Sequence, residues 1–500
     1  MTLIHSLNDL EQQLHYHLSL LRLPEANWPP ARMHKGQPIY DVIIVGAGMS
    51  GACAAAALKL RGIHNIALFD VAEPHQEGPW ATFARMETLR SPKELTGPAL
   101  GIPMLTFQAW YTAQHGTAAW QELDRIPRLV WHDYLQWYKE ILQLPAINQQ
   151  QLLDIDSVSS DELTTPIAQL HFQDQRTQEK YTHYARHVIL ALGMGGFGGP
   201  NIPAWAQQLP KESWYHSSEI IDPHSFKGQR LVVVGGGDSA LDAAATALEH
   251  GAQHVDLCIR GSGYTHINYS KALGHAGHRA GYASLTAAQK SALLGFLAQH
   301  ATPPSRGTVA RVIAIEEQRP GTLNIHFNYE IEHAEYLEGQ LTLNAADQEG
   351  IVADALVLAT GYRTDPRLRP ELQSIIPHLQ FYEADAIAAH VPHEGGVIPE
   401  LNQDFSFQAR PDSHYPLATQ IHCFMHAAIL SVGRICGDIP GISQGATQMA
   451  QGIAAKIYQA EFDHELATVE NYDELEVSDE ALQPLLDLAQ QTKTRKKSIV

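Results

Sequence analysis

The spacing of apolar positions changes along the chain, and each change marks an element. Leu3, Leu7, Leu10, Leu14, Leu18 and Leu21 recur at steps of three and four, which predicts an amphipathic helix before a connector holding Pro24, Pro29 and Pro30. Acids and amides occupy its other face, so the helix is expected to pack on the protein rather than lie on a membrane. Tyr40-Asp-Val-Ile-Ile-Val45 is almost continuously apolar, as in a parallel strand buried on both faces. It breaks at Gly46-Ala-Gly48-Met-Ser-Gly51, runs into an alanine-rich helix over 52–60, and is followed by a strand over 66–69 that ends in Asp70. The same order returns as a strand over 230–234, Gly235-Gly-Gly237-Asp238-Ser239-Ala240, a helix reaching residue 250, and a strand over 255–259 that ends in Arg260. Two further apolar strands end at Gly193 and at Thr360-Gly361. The pattern predicts an α/β chain with two Rossmann-like dinucleotide-binding domains.

Each glycine has a physical task in such a turn. Gly46 allows the chain to turn sharply after the strand, Gly48 lets the backbone approach a pyrophosphate, and Gly51 lets the helix pack closely on the strand. The helix N-terminus offers free N–H groups to the phosphates. Asp70, nineteen residues after Gly51, stands where an acid accepts hydrogen bonds from ribose hydroxyls. In the second turn Ser239 and Ala240 stand in place of the third glycine, and Arg260 replaces the acid. An arginine there pairs with a 2′-phosphate, which favours NADPH and leaves NADH open; the alternative is an arginine salt-bridged at the surface. Two dinucleotide sites on one chain point to hydride traffic from a nicotinamide to a flavin.

Composition narrows the choice. Of 500 residues, 34 are Lys or Arg and 54 Asp or Glu, a formal charge of −20 with no basic stripe, which excludes a nucleic-acid partner. With 28 histidines the sign of that charge depends on pH. Cys53, Cys258, Cys423 and Cys436 form no Cys-x-x-Cys pair, so neither a disulfide framework nor a redox dithiol is expected. No apolar run approaches the roughly 20 residues of a membrane span, and a soluble cytoplasmic protein without a membrane partner is expected. Residues 461–480 hold nine acids and no Lys or Arg, then Lys493, Arg495, Lys496 and Lys497 follow; this reads as a solvated acidic tail.

The chain resembles the two-dinucleotide-binding flavoproteins, and more narrowly the class B flavin monooxygenases and the N-hydroxylating monooxygenases, over about residues 38–460. In those families the first glycine turn binds FAD and the second binds NADPH. Glu77-Gly-Pro-Trp80 is similar to the stretch that reaches the flavin, Arg85-Met86 to Lys93 to the loop against it, and Ile126 to Tyr138 to the segment that follows. Read alone, the aromatic spacing at 131, 134, 137 and 138 suits a core stripe. Ala359-Thr360-Gly361-Tyr362 resembles the motif closing the strand that re-enters the FAD domain, and Cys436-Gly-Asp438 the segment that meets the ribityl chain. The resemblance therefore implies FAD contacts at Gly46, Gly48, Gly51, Asp70, Trp80, Met86, Thr360, Gly361 and Asp438. It implies NADPH contacts at Gly235, Gly237, Asp238, Ser239, Ala240 and Arg260. The class B fingerprint is incomplete, since Pro210 and Glu212 stand where Phe and Gly belong before His216-Ser217.

The implied architecture is an N-terminal helical extension (1–37), a discontinuous FAD domain (38–222 and 346–460), an inserted NAD(P)H domain (223–345) and the tail (461–500). The implied reaction is hydroxylation of a small nitrogen-containing substrate through a C4a-peroxyflavin, with NAD(P)H and O2 consumed. A bacterial branch of these hydroxylases, assigned to urate, makes urate the candidate. An N-hydroxylase of an amine or amino acid, a flavin-dependent NAD(P)H oxidase or reductase, and a non-catalytic redox sensor stay open, as does a homo-oligomer. For substrate contact the polar insertion supplies His266, Asn268 and Lys271, and Arg306 follows it. His275 and His278 have ligand spacing, but Gly274, Gly277 and Gly281 argue against a firm helix and no third ligand is evident, so no metal is expected.

Overall fold

The computed structural model describes residues 5–346, 348–382 and 397–497, so Leu3 of the predicted first helix lies outside the described residues. Residues 1–457 form one compact unit and 458–500 a second.

Within the larger unit, helix Leu7–Leu20 starts at Ser6, whose hydroxyl accepts from the Asp9 N–H at 3.1 Å. Leu10, Leu14 and Leu18 are buried while Leu21 is exposed. The helix packs on Phe107–Glu122, and Glu11 accepts from the Trp137 indole at 2.9 Å. The leucine stripe is a packing face, as its spacing predicts.

The first sheet runs Ala146–Ile147, Ile66–Phe69, Gln37–Val45, Lys180–Leu190, Ile167–Asp174, Gln150–Val158, with Ile421–Cys423 joining parallel to Lys180–Leu190. Its centre, Val42 to Val45, is buried throughout, which explains the unbroken apolar run. The helix after the first glycine turn is Met49–Lys59, beginning directly at Gly48 and so earlier than predicted.

The second sheet is parallel throughout, in the order Leu323–Phe327, His254–Ile259, Arg230–Val234, Ala355–Leu358, Trp214–His216. Leu231, Val233, Leu257 and Val357 face one core with helix Asp238–Glu249, and Val232, Cys258, Leu356 and Leu358 face another under the antiparallel strands Ile331–Leu337, Gln340–Ala345 and Gln348–Ala353. Strands Trp214–His216 and Ala355–Leu358, assigned above to the FAD domain, pair into the second sheet, because both are short and complete its parallel ladder beside Arg230–Val234.

The second unit, read above as a solvated acidic tail, is exposed over most of its described length and carries helical structure. It holds helices Phe462–Glu470 and Asp479–Lys497, whose first turns carry Asp463 and Glu465, and Asp479 and Glu480. These four of the nine acids sit where the positive end of the helix dipole favours them.

Candidate functional site: two glycine turns and the seam between them

Gly46 adopts φ +104°, and a Cβ there would lie 2.4 Å from the Ala191 carbonyl oxygen; at Gly51 it would lie 1.8 Å from the Gly46 carbonyl oxygen. These two positions are closed by the protein itself. Gly48 differs, because its nearest neighbour would be Gly78 at an ordinary 3.6 Å, so the fold leaves room above the helix N-terminus. Beside it, the Asp70 carboxylate accepts from the Ala47 N–H at 2.7 Å and the Ala72 N–H at 2.8 Å. Burial pushes its pKa up against the pull of these two N–H groups.

A small pocket opens on the same turn, lined by Gly48, Met49, Glu77, His132 and Lys139 among others. Burial would raise the Glu77 carboxyl, but Lys139 at 2.9 Å and Asn148 at 2.7 Å hold it below the usual carboxylate range. Trp80 stands edge-on to Trp131 at 6.4 Å. Arg128 donates to the Trp80 carbonyl and, at 3.0 Å, to the Met86 carbonyl, fixing both residues in place. Trp131, Tyr134 and Tyr138 are fully buried, with the tyrosine hydroxyls donating to Leu105 O at 2.6 Å and Pro98 O at 2.8 Å. The aromatic spacing is thus a core stripe, and Arg128 on the same helix is the residue that reaches the loop.

The Thr360 hydroxyl and the Gly361 carbonyl are spent within the chain. Thr360 donates to Asn201 O at 2.5 Å, while the Gly361 carbonyl accepts from Asn201 N at 2.9 Å and from the buried His216 Nε2 at 3.0 Å. Asp438 is the opposite case. Its buried Oδ1 has no hydrogen-bond partner among the described residues. Burial raises its pKa to about 6 against the pull of Arg434 and the Gly441 N–H. A buried acceptor left open requires a donor from elsewhere, and a ribityl hydroxyl fits that need.

At the second turn Gly235 has φ +145°, and a Cβ would lie 2.5 Å from the Ala359 carbonyl oxygen, whereas nothing described lies within 4 Å of one at Gly237. Gly237 caps helix Asp238–Glu249, with Ser239 exposed on its first turn and Ala240 buried. Arg260 is exposed and forms no ion pair among the described residues, so it is not a surface salt bridge. The Asp238 carboxylate pairs with Arg90 and accepts from the Ser305 N–H at 2.7 Å. Arg306, the next residue, is exposed at the start of helix Arg306–Gln318 and so belongs beside this turn.

Of His266, Asn268 and Lys271, the last two share one short turn, in which the Lys271 N–H donates to Asn268 O at 3.2 Å. His266 and Lys271 are exposed, and Asn268 accepts from the backbone and hydroxyl of Ser270 at 3.2 and 2.6 Å. A short helix, Ala276–Gly281, does form despite its glycines, because the His275 ring accepts from the His278 N–H at 3.2 Å and caps it. Among the described residues no three His, Cys, Asp or Glu are grouped to hold a metal. All four cysteines are buried and free. No helix among the described residues is long and apolar enough to cross a membrane.

Comparison with known proteins agrees with this layout. Residues 118–300 match the family model for L-lysine 6-monooxygenase/L-ornithine 5-monooxygenase. The FAD-dependent urate hydroxylase of Xanthomonas campestris pv. campestris is 33% identical over 471 residues, covering 93% of this chain and 96% of that protein. The chain belongs to the family of flavin-dependent monooxygenases that contains this hydroxylase. Among solved structures, an ornithine hydroxylase of Pseudomonas aeruginosa superposes with a TM-score of 0.67 at 18% identity, over 84% of this chain and 99% of that one. The ornithine N-hydroxylase of Kutzneria sp. 744, with reduced FAD, NADP+ and L-ornithine, gives 0.66 at 16% identity, over 84% and 100%. At such identities these two establish the shared fold.

Proposed function

We propose that the chain is an FAD- and NADPH-dependent monooxygenase that hydroxylates a small nitrogen heterocycle, with urate as the candidate substrate. The observation that carries this reading is the pair of glycine turns in one compact unit, with only ordinary contact from Gly78 at Gly48 and open space at Gly237. The first turn, with Asp70 and the open Asp438 acceptor, suits FAD; Trp80 and Met86, pinned by Arg128, suit the flavin side. The second turn, with exposed Ser239, Arg260 and Arg306, suits NADPH. Hydride acceptance and O2 activation are the chemistry FAD supplies when bound. The chain's part is to hold the two cofactors in register, keep Asp438 and the buried tyrosines away from bulk water, and present donors to the substrate.

The 33% identity to the urate hydroxylase across nearly the whole chain favours urate. The family model over residues 118–300 supports a second reading, N-hydroxylation of an amine or amino acid. Parallel assays of NADPH oxidation, O2 uptake and H2O2 release with urate, ornithine, lysine and no substrate separate the two. Urate-stimulated O2 uptake with suppressed H2O2 is expected. Stimulation by an amine alone selects the second reading, and H2O2 equal to O2 consumed under every condition reduces the protein to an oxidase.

A further inference from the structure

The later half of the insertion folds back onto the segment that carries Asp438. Tyr282, 2% exposed, donates its hydroxyl to Leu430 O at 3.3 Å and lies so close to Gly433 that a Cβ there would sit 2.8 Å from its ring. Lys290 donates to Ser431 O at 2.8 Å, and Gln444 donates to Arg279 O at 3.0 Å. Three hydrogen bonds therefore seat the stretch from Arg279 to Lys290 against residues 430–444.

The side chains left along this seam share one character. Arg434 is exposed and Arg279 half-buried, and neither forms an ion pair among the described residues. His278 stands edge-on to Tyr282 at 5.2 Å, and its buried Nε2 has no hydrogen-bond partner among the described residues. Burial lowers the His278 pKa, and His275, Arg434 and Arg279 lower it further; Arg434 also adds to the burial that holds His426 near 4. One guanidinium thus acts on His278, His426 and Asp438 together.

We infer that Arg434, Arg279 and the open His278 Nε2 form the polar wall of the substrate site, and that this wall takes a planar, anionic nitrogen heterocycle. The inference rests on the monooxygenase reading and deepens it. Two unpaired guanidinium groups attract a delocalised anion and offer it parallel donors. They repel the ammonium group of an ornithine-like substrate by the same field. Urate, a monoanion near neutral pH, has the matching charge and shape.

The test uses the FAD-loaded full chain and compares Arg434→Gln, Arg279→Gln, Arg434→Lys and a surface control, Arg410→Gln, whose partner is Asp412. Flavin content of each variant checks folding. Readouts are KM and kcat for urate and the change in the oxidised flavin spectrum on adding urate or oxonate, an anionic analogue. Arg434→Gln is expected to raise KM and the spectral Kd about tenfold while kcat changes less than about threefold, with partial recovery in Arg434→Lys and no change in Arg410→Gln. Urate and oxonate affinities unchanged within about twofold in both glutamine variants would overturn the inference, and so would a wild-type enzyme that binds amines and neither anion. A wild type that ignores urate yet binds oxonate through Arg434 keeps the site and removes only urate. Failure of NADPH to reduce the flavin strikes the monooxygenase reading, while the oxonate titration still decides the seam.

Discussion

The last residue of a strand in these folds meets the cofactor, so its charge carries information that the buried residues before it lack. Asp70 and Arg260 close equivalent strands with opposite charge, one held by two backbone N–H groups and the other exposed and unpaired. If Arg260 recognises the 2′-phosphate, Arg260→Ala raises KM for NADPH by about tenfold and leaves KM for NADH within about twofold. Steady-state kinetics with both nucleotides check this, and an equal loss with each would remove the assignment. Both strand ends were legible in the sequence because glycine spacing and strand length place them. The open state of Asp438 Oδ1 and the pairing of Asp238 with Arg90 were not, since each depends on which groups the fold brings near.

At the scale of elements, helix Asp238–Glu249 ties the second nucleotide unit to the loop around residues 85–90. Asp238 pairs with Arg90; Arg311 pairs with Glu249 at 2.6 Å and Asp242 at 3.3 Å and donates to Arg85 O at 2.9 Å; Arg85 in turn donates to Ser217 O at 2.7 Å. These bonds position the loop that carries Met86. Arg90→Gln is therefore expected to slow flavin reduction by NADPH about tenfold in rapid mixing while flavin content is retained, because the loop loses its register with the nicotinamide side. Reduction at the wild-type rate would show that the tie is dispensable.

Asp242 adds a pH signature to the same helix. Burial raises its pKa to about 6, against Arg311, from an unfolded value near 4. The folded state thus binds the proton more tightly, so the stability this group contributes is full below about pH 4 and is lost as pH rises through about 6. Asp242→Asn keeps the shape without the charge, and its melting temperature relative to wild type should climb between pH 4 and 7. A difference that stays constant across that range would contradict the assignment. The glycine turns and their strands were legible as elements because local spacing dictates them. The arginine ties were not, since their partners lie far apart in the chain, and the sheet that strand Ala355–Leu358 joins was not, because an apolar run does not name its neighbour.

Taken whole, the chain is acidic, with a formal charge of −20, yet Arg260, Arg279, Arg306 and Arg434 stand unpaired among the described residues. The family's two-domain α/β plan could be read from two repeated strand–turn–helix units. The seam between insertion and returning segment could not, because Tyr282, Lys290 and Gln444 look like ordinary helix and loop residues until their acceptors are known. If the proposed reaction holds, NADPH reduces a bound flavin, the reduced flavin passes two electrons to O2, and one oxygen atom is inserted into a heterocyclic anion while the other leaves as water. The most direct measurement reduces the protein with NADPH, mixes it with O2 in the presence of urate, and follows flavin absorbance together with urate consumption. An O2-dependent transient before the oxidised spectrum returns, and about one urate hydroxylated per NADPH, are expected. A direct return to oxidised flavin, with all of the O2 recovered as H2O2 and urate untouched, would contradict the proposed reaction.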